Sequence, residues 1–361
     1  MSQFKRRISR IVSVGKLPIG GGFPVSVQSM TTPHTTDLVA IKQQIQALED
    51  AGCQLIRVTV SDEAAALALP EIKKIMSVPL VADIHFDYRL ALKAIDAGAD
   101  KIRINPGNIG TKDRIQAVLT AAKSANIPIR IGVNAGSLEK EYLAQYGHPT
   151  AEAMVASAAR HIRICEDVGF EDIIVALKAS NVALMIAANR LFAEKYDYPL
   201  HLGVTEAGPP WQGTIKSAIG IGTLLAEGIG DTIRVSLTED PVQEVHTGFE
   251  ILKSLDLIKK GITIISCPTC GRTDVDIFGI VTALESRVKH IQKPLTVAVM
   301  GCAVNGPGEA READLGVAGG KKSFLLFKKG AIIAKIPESQ VLDRLLEEIE
   351  RLSESKEEIA S

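Results

Sequence analysis

The chain has 361 residues, 46% of them apolar, 23% charged and only 4% aromatic, and a formal charge of -1. That is enough material for one large domain plus a small one, and no basic tract is interleaved with aromatics, which argues against a nucleic-acid surface. The basic start Met1-Ser2-Gln3-Phe4-Lys5-Arg6-Arg7 leads into no apolar leader core, and no stretch of about 20 uncharged apolar residues follows, so a cytoplasmic protein with no membrane span is expected.

Eight short apolar runs read as strands: 25–30, 55–60, 80–84, 101–106, 128–133, 172–177, 200–205 and 232–237. They recur about every 30 residues, the period of a βα unit. Helical patterns lie between them. Asp37, Ser61, Thr111, Thr150 and Ser180 stand where N-caps belong, Asp240-Pro241 is an N-cap followed by proline at the first helical position, and Gly52, Gly98 and Gly169 stop helices. Cys53 and Cys165 fall in apolar helical contexts and read as small buried hydrophobes. Eight strands alternating with eight helices predict a (β/α)8 barrel over 1–258, with an open doubly wound sheet as the other arrangement of the same units.

Four predicted strands repeat one pattern: Ile56-Arg57-Val58, Ile102-Arg103-Ile104, Ile129-Arg130-Ile131 and Ile233-Arg234-Val235. Side chains alternate along a strand, so aliphatics facing the helix layer turn each arginine into the barrel lumen. Ile162-Arg163-Ile164 shows the same triplet within a predicted helix and reads as a surface arginine. Unpaired buried charge costs several kcal/mol. Asp83 and Glu206 are expected to answer two of the four arginines, while Lys178 adds a further cation. The remaining positive excess asks for an anionic ligand, and the planar guanidinium fork suits phosphate oxygens. Asn134, Thr205 and Ser236, at the same strand ends, offer uncharged hydrogen bonds.

Gly261 opens a second module, 259–361, expected to be a small α+β domain. Strands at 262–266 and 295–300 deliver cysteine segments, 273–291 is helical, 322–336 adds strands, and 337–355 is a charged amphipathic helix. The cysteines are Cys267-Pro268-Thr269-Cys270 and a lone Cys302 within Gly301-Cys302-Ala303-Val304-Asn305-Gly306-Pro307-Gly308-Glu309. Five cysteines in a chain of this length do not make a disulfide framework. Three thiolates leave one metal corner to a weaker oxygen ligand, and Glu309 is placed to supply it. Closed structural zinc sites take four strong ligands, whereas a 4Fe-4S cubane tolerates three cysteines and one exchangeable position. The spacing leans to the cluster, with zinc and a redox dithiol as alternatives.

The last barrel helix runs antiparallel to its strand, returning the chain to the face opposite the arginines, roughly 20 Å away at 1.5 Å per residue. A two-fold homodimer, each small domain capping the partner's barrel, would bring the cysteines to the arginines.

The runs Val81-Ala82-Asp83-Ile84-His85-Phe86-Asp87-Tyr88-Arg89, Arg103-Ile104-Asn105-Pro106-Gly107-Asn108-Ile109-Gly110, Arg130-Ile131-Gly132-Val133-Asn134-Ala135-Gly136-Ser137-Leu138-Glu139, Thr205-Glu206-Ala207-Gly208 and 301–309 are specific. From about Arg10 to about Gly320 the chain resembles the 4-hydroxy-3-methylbut-2-enyl diphosphate synthase family, in its two-domain bacterial form. The resemblance implies reductive ring opening and dehydroxylation of 2-C-methyl-D-erythritol 2,4-cyclodiphosphate, with two electrons passed through a 4Fe-4S cluster. It implies Cys267, Cys270, Cys302 and Glu309 as cluster ligands, and reduced flavodoxin or ferredoxin as the electron donor. Arg57, Arg103, Arg130, Asn134, Lys178, Arg234 and Ser236 fall where the family grips the diphosphate; Thr205 and Asn305 complete the expected substrate-binding set. Pro209-Pro210-Trp211-Gln212 departs from the family pattern. Glu206 is the candidate acid/base, with a counter-ion role for Arg130 or Arg234 as its alternative, and Asp83 and His85 are further candidates. Two other classes are open to a barrel of this kind: a pterin-binding transferase, which leaves the cysteine module without a purpose, and a metal-binding sensor, which leaves the arginines without one.

Overall fold

The computed structural model describes residues 4–104, 111–273, 275–302, 308, 312–321 and 323–355. The chain forms two compact units, Met1–Ile258 and Lys259–Ser361.

The first unit opens with a hairpin, β1 (Val12–Val14) and β2 (Leu17–Ile19). Eight parallel strands follow: β3 (Ser26–Met30), β4 (Leu55–Thr59), β5 (Leu80–Ile84), β6 (Lys101–Ile104), β7 (Ile129–Asn134), β8 (Ile173–Lys178), β9 (His201–Leu202) and β10 (Thr232–Ile233). They run in spatial order β8-β7-β6-β5-β4-β3-β10-β9, and an isolated parallel bridge, Val175 to Leu200, joins the two ends into a barrel. The doubly wound alternative is therefore excluded. The last two strands are shorter than the expected 200–205 and 232–237, although Arg234 N–H still donates to the Leu202 carbonyl at 2.9 Å. Asn105 and Pro106, the expected end of the fourth barrel strand, lie outside the described residues.

Nine helices accompany the described barrel: α1 (Leu38–Asp50), α2 (Glu63–Ile75), α3 (Tyr88–Asp96), α4 (Lys112–Ala125), α5 (Lys140–Tyr146), α6 (Ala151–Glu166), α7 (Val182–Lys195), α8 (Pro210–Ala226) and α9 (Pro241–Ser254). Asp37, Thr150 and Asp240 cap their helices through side-chain oxygens, each interaction stabilising by about 1 kcal/mol. Thr111 caps by position only. Two expected caps are off by one residue: Asp62 and Asn181 accept the first-turn N–H groups in place of Ser61 and Ser180, since an Asx side chain makes the better acceptor there. Gly52, Gly98 and Gly169 take left-handed φ just past their helices.

The outward strand residues Val27, Ile56, Val58, Ala82, Ile102, Ile131, Val175 and Ile233 pack with the helices into the main core. Inside, the floor of the barrel is closed by Leu55, Val81 and Ile174 packed on Val12, Val14 and Ile19 of the hairpin, an element the sequence reading passed over. The basic start is a strap on the barrel: Arg6 donates to Gly230 O and Asp231, Arg7 to Tyr196 O and Tyr198 O, and Arg10 to Asp197.

The second unit carries a five-stranded sheet in chain order: β11 (Ile262–Ser266), β12 (Leu295–Met300), β13 (Leu315–Gly320), β14 (Ser323–Lys328) and β15 (Ala331–Pro337). The first three strands are parallel and the last two antiparallel additions. Helices α10 (Ile277–Val288) and α11 (Val341–Glu354) cover one face through Ile280, Leu284, Leu345 and Ile349. On the other face Cys267 packs beside Ala298, Met300 and Phe327.

Candidate active site

Every barrel strand alternates, so the residues not used against the helices point inward, and here they are polar to an unusual degree. Branched apolar layers normally fill such a lumen. In this barrel Arg57, Arg103, Arg130, Arg234, Lys101 and Lys178 occupy it together with Asp83 and Glu244. Arg103 lies in register with Arg130 on the next strand and with Asp83 on the strand before it.

Asp83, 2% exposed, is the hub. One carboxylate oxygen accepts from Arg103 Nη1 at 3.0 Å, while the other lies 3.6 Å from Arg57 Nε and 3.7 Å from His85 Nε2. Burial alone would raise its pKa, but Arg57, Arg103, His85 and Arg130 outweigh that and hold it down at about 2. The same burial works against the cations: Arg57 is lowered to about 10, despite Asp83, with Arg234 and Arg103 adding repulsion. Burial also pulls Arg130 and Lys178 well below their ordinary range, and the neighbouring guanidiniums pull further.

Arg234 is answered from outside the strand set. Its Nε and Nη2 donate to the two oxygens of Glu244 at 3.1 and 3.2 Å, a two-pronged pair. Glu244 also accepts from Ser29 Oγ at 2.8 Å and from the Leu237 N–H. The expectation that Glu206 would neutralise an arginine is not met by an ion pair among the described residues: Glu206 is exposed, in a loop beyond β9, with a left-handed φ of 53°. A left-handed φ is uncommon for a residue other than glycine. Arg130, 1% exposed, has Gln28 Oε1 at 3.3 Å as its hydrogen-bond acceptor. Met30 sulfur lies 2.8 Å from Arg57 Nη2 and 3.7 Å from Arg234 Nη1, a weak acceptor between two strong donors.

Thus the structure brings Arg57, Arg103, Arg130, Lys178 and Arg234 into one lumen, with Asn134 beside Lys178 in register and Thr205 and Ser236 half-buried at neighbouring strand ends. Two glycines make the room. A Cβ on Gly132 would come within 3.0 Å of Arg103 Nε, and one on Gly203 within 2.8 Å of Lys178 Nζ and 2.5 Å of the Arg234 carbonyl. Gln28, Met30, Lys101 and Glu244 escaped sequence reasoning. Lys101 alone carried a signal, standing two residues before Arg103 and hence on the same face of the strand.

In the second unit, Cys267-Pro268-Thr269-Cys270 follows β11 and Cys302 follows β12, two strands paired in parallel, so both segments leave the sheet at the same edge. Gly301 N–H donates to Cys267 sulfur at 3.1 Å. The Arg272 backbone N–H, the Arg272 side chain and Thr273 lower the Cys270 thiol below its ordinary range. Polarised, N–H-solvated thiols on adjoining turns are what a thiolate-bound metal group requires. Asn305 and Glu309 lie outside the described residues, and the described ones alone contain no complete metal-ligating group. Cys53 and Cys165 are inert by contrast: burial pushes both thiols up to about 12.

Comparison with known proteins adds three findings. Residues 9–249 match the GcpE TIM-barrel domain, and 263–351 match the GcpE protein C-terminal domain. The chain is 58% identical to a Caldanaerobacter subterraneus subsp. tengcongensis protein over 96% of its own length and 98% of that protein, and 56% identical to one from Clostridium perfringens over 96% and 99%. Both relatives are named 4-hydroxy-3-methylbut-2-en-1-yl diphosphate synthase (flavodoxin). Among solved structures, 3-dehydroquinate dehydratase from Geobacillus kaustophilus shares the barrel fold at 14% identity and a TM-score of 0.50, covering 69% of this chain and 99% of that one.

Proposed function

The chain belongs to the GcpE family, and it is a 4-hydroxy-3-methylbut-2-en-1-yl diphosphate synthase; on that premise we propose how its residues divide the reaction. The substrate, 2-C-methyl-D-erythritol 2,4-cyclodiphosphate, takes up two electrons and one proton and yields the linear allylic diphosphate and one water. Two residue sets serve these needs: the lumen cations for the diphosphate, and the cysteines for the electrons.

The observation that carries the substrate site is the imbalance of the lumen, where six basic side chains meet two carboxylates. Arg57, Arg103, Arg130, Lys178 and Arg234 bind the diphosphate, with Asn134, Thr205 and Ser236 at its rim. Each charge-assisted bond contributes about 1.5–3 kcal/mol. Opening the ring breaks a carbon–oxygen bond and leaves negative charge on the diphosphate. The same cations therefore hold the transition state more strongly than the ground state. Low-dielectric walls increase that gain, and the repulsion already present among the cations is relieved as anionic charge grows between them.

Loss of the hydroxyl as water requires a proton, and Glu206 is the proposed donor. Exposed and left-handed in its loop, it makes no ion pair among the described residues, unlike Asp83 and Glu244, which are fixed as acceptors. His85 and Asp83 orient each other and stay structural in this reading.

Cys267, Cys270 and Cys302, with Glu309 as the oxygen ligand, are proposed to hold a 4Fe-4S cluster. The N–H donation from Gly301 to Cys267 and the lowered Cys270 thiol support that assignment. When bound, the cluster supplies the two electrons singly. Reduced flavodoxin is the proposed donor, as the relatives' names state for them, with ferredoxin serving the same chemistry. Asn305, three residues after Cys302 in the sequence, is proposed to meet the substrate. A homodimer sharing its active sites, working in the cytoplasm, completes the proposal. It is supported by the direction of α9, which runs from Asp240 beside the arginine end of β10 back along the barrel. No described helix is long and apolar enough to cross a membrane.

The test is anaerobic reconstitution with iron and sulfide, then substrate and a low-potential reductant, followed by phosphorus NMR. Linear diphosphate signals should replace the cyclic ones only when both cluster and reductant are present. Cluster formation without conversion would remove the assigned residue roles.

A further inference from the structure

Beside the apolar plug of the barrel floor, and reaching up to Arg130, runs a second layer of inward polar groups, most of which the proposed reaction does not use. Ser26, Thr232 and His201 stand on three adjacent strands, Thr232 in register with both of the others. All three are buried at 0 to 1% exposure. Among the described residues, Ser26 Oγ, Thr232 Oγ1 and both ring nitrogens of His201 have no hydrogen-bond partner. Gln28, two residues beyond Ser26 on the same strand face, has an unpartnered Nε2, and Arg130 an unpartnered Nε. Lys101 is wholly buried, with its ammonium 3.5 Å from Gln28 Oε1 and in no ion pair among the described residues.

Each such orphaned group costs about 1–3 kcal/mol unless something occupies the layer. The inventory shows what kind of occupant. Gln28 Oε1 is already shared between Arg130 Nη1 and Lys101 Nζ. What remains is mostly donors: the Gln28 amide N–H groups, Arg130 Nε–H, the Lys101 ammonium and two hydroxyls. Two cations border the layer, and the carboxylate that acts on Arg130, Asp83, is already engaged with Arg103 and Arg57. Neutral water would leave the charge uncompensated, and without compensation burial and the neighbouring Arg130 and Arg57 pull Lys101 well below its ordinary range.

The geometry points to a closed site for one small monovalent inorganic anion, of the halide class, in the barrel floor, bound by Lys101, Gln28 Nε2, Arg130 Nε, Ser26, Thr232 and His201. Its role is to balance Lys101 and Arg130 from below, so that Arg130 keeps its charge facing the site above. The inference rests on the inward cation layer, not on the turnover assigned to it, and its test needs no substrate.

Crystals of the full-length protein grown with sodium bromide replacing chloride, measured at the bromine absorption edge, should show an anomalous peak beside Lys101 Nζ and Thr232 Oγ1. In solution, the barrel unfolding temperature should rise with bromide or chloride relative to sodium gluconate at equal ionic strength. That halide-dependent rise should be lost in Lys101→Met and reduced in Thr232→Val, which keeps the barrel charges. Ordered water without anomalous signal in the floor, or the same unfolding temperature in all three salts, would overturn the assignment. If Lys101→Met does not fold, the diffraction peak and Thr232→Val decide alone.

Discussion

Replacing Asp83 with asparagine keeps the shape of the hub and removes its charge, so the consequence can be worked from the geometry. Its carboxylate is held at about 2 against an ordinary 3.8, a difference equivalent to about 2 kcal/mol of net favourable interaction with the surrounding cations. Removing one partner of a buried pair usually costs about 3–5 kcal/mol, a figure that already includes this lost attraction and the burial of Arg57 and Arg103 without their acceptor. A destabilisation of about 3 kcal/mol is expected for Asp83→Asn. Urea unfolding followed by circular dichroism measures it, and hydrogen exchange of the β4–β6 amides assigns it to the barrel. The sign of the pH dependence follows from the depressed folded-state pKa. The carboxylate's contribution is fully present above about pH 4 and is lost as pH falls through about 2. The gap between wild type and variant should therefore be flat from pH 7 to about 4 and close below it. Inorganic pyrophosphate, by restoring anionic charge, should recover more stability in the variant than in the wild type. A variant within about 0.5 kcal/mol of wild type at pH 7, or a gap that does not close in acid, would refute the role of Asp83 as the charge hub.

Arg130→Met should raise the Michaelis constant by about 10- to 100-fold, the loss of one or two charge-assisted bonds, while the visible spectrum of the reconstituted cluster stays unchanged; steady-state kinetics beside absorbance read both. Gly203→Ala places a Cβ against Lys178 and the Arg234 carbonyl, so weaker substrate binding and a loss of about 1–3 kcal/mol in urea unfolding are expected. Glu206→Gln should lower kcat by about 10²- to 10⁴-fold with little change in Michaelis constant, and an unchanged kcat would move the proton-donor role elsewhere. Glu309→Ala should yield a labile cluster with little turnover, measured as iron and sulfide content against time.

The barrel was legible because two periods coincide in the sequence: a 2-residue alternation inside each strand and a repeat of about 30 residues between them. Caps such as Asp37 and Asp240 announced helix starts for the same local reason. The β1–β2 hairpin gave no such signal. Its three-residue strands are too short for periodicity, and their meaning lies in packing on Leu55, Val81 and Ile174, which only the closed barrel brings together. The fifth helix, Lys140–Tyr146, and β13, whose Leu315–Gly320 run contains three glycines, fell below pattern detection in the same way.

The candidate site shows the same division. Four Ile-Arg-Val/Ile triplets could be read because the fold repeats them at equivalent places, whereas the groups that govern their charge come from elsewhere in the chain. Glu244 sits on a helix, ten residues after the arginine it pairs with, and looks in sequence like an ordinary acidic residue of a first helical turn. Glu206, by contrast, is next to a strand end and was expected to serve as a counter-ion, yet it is exposed. Pairing in the lumen is decided by which side chain reaches across the barrel, and strand position gives no measure of that reach. The outcome matters chemically. With Glu244 rather than Glu206 neutralising Arg234, the two lumen carboxylates are committed to holding arginines, and Glu206, which makes no ion pair among the described residues, stays available for the proposed proton transfer.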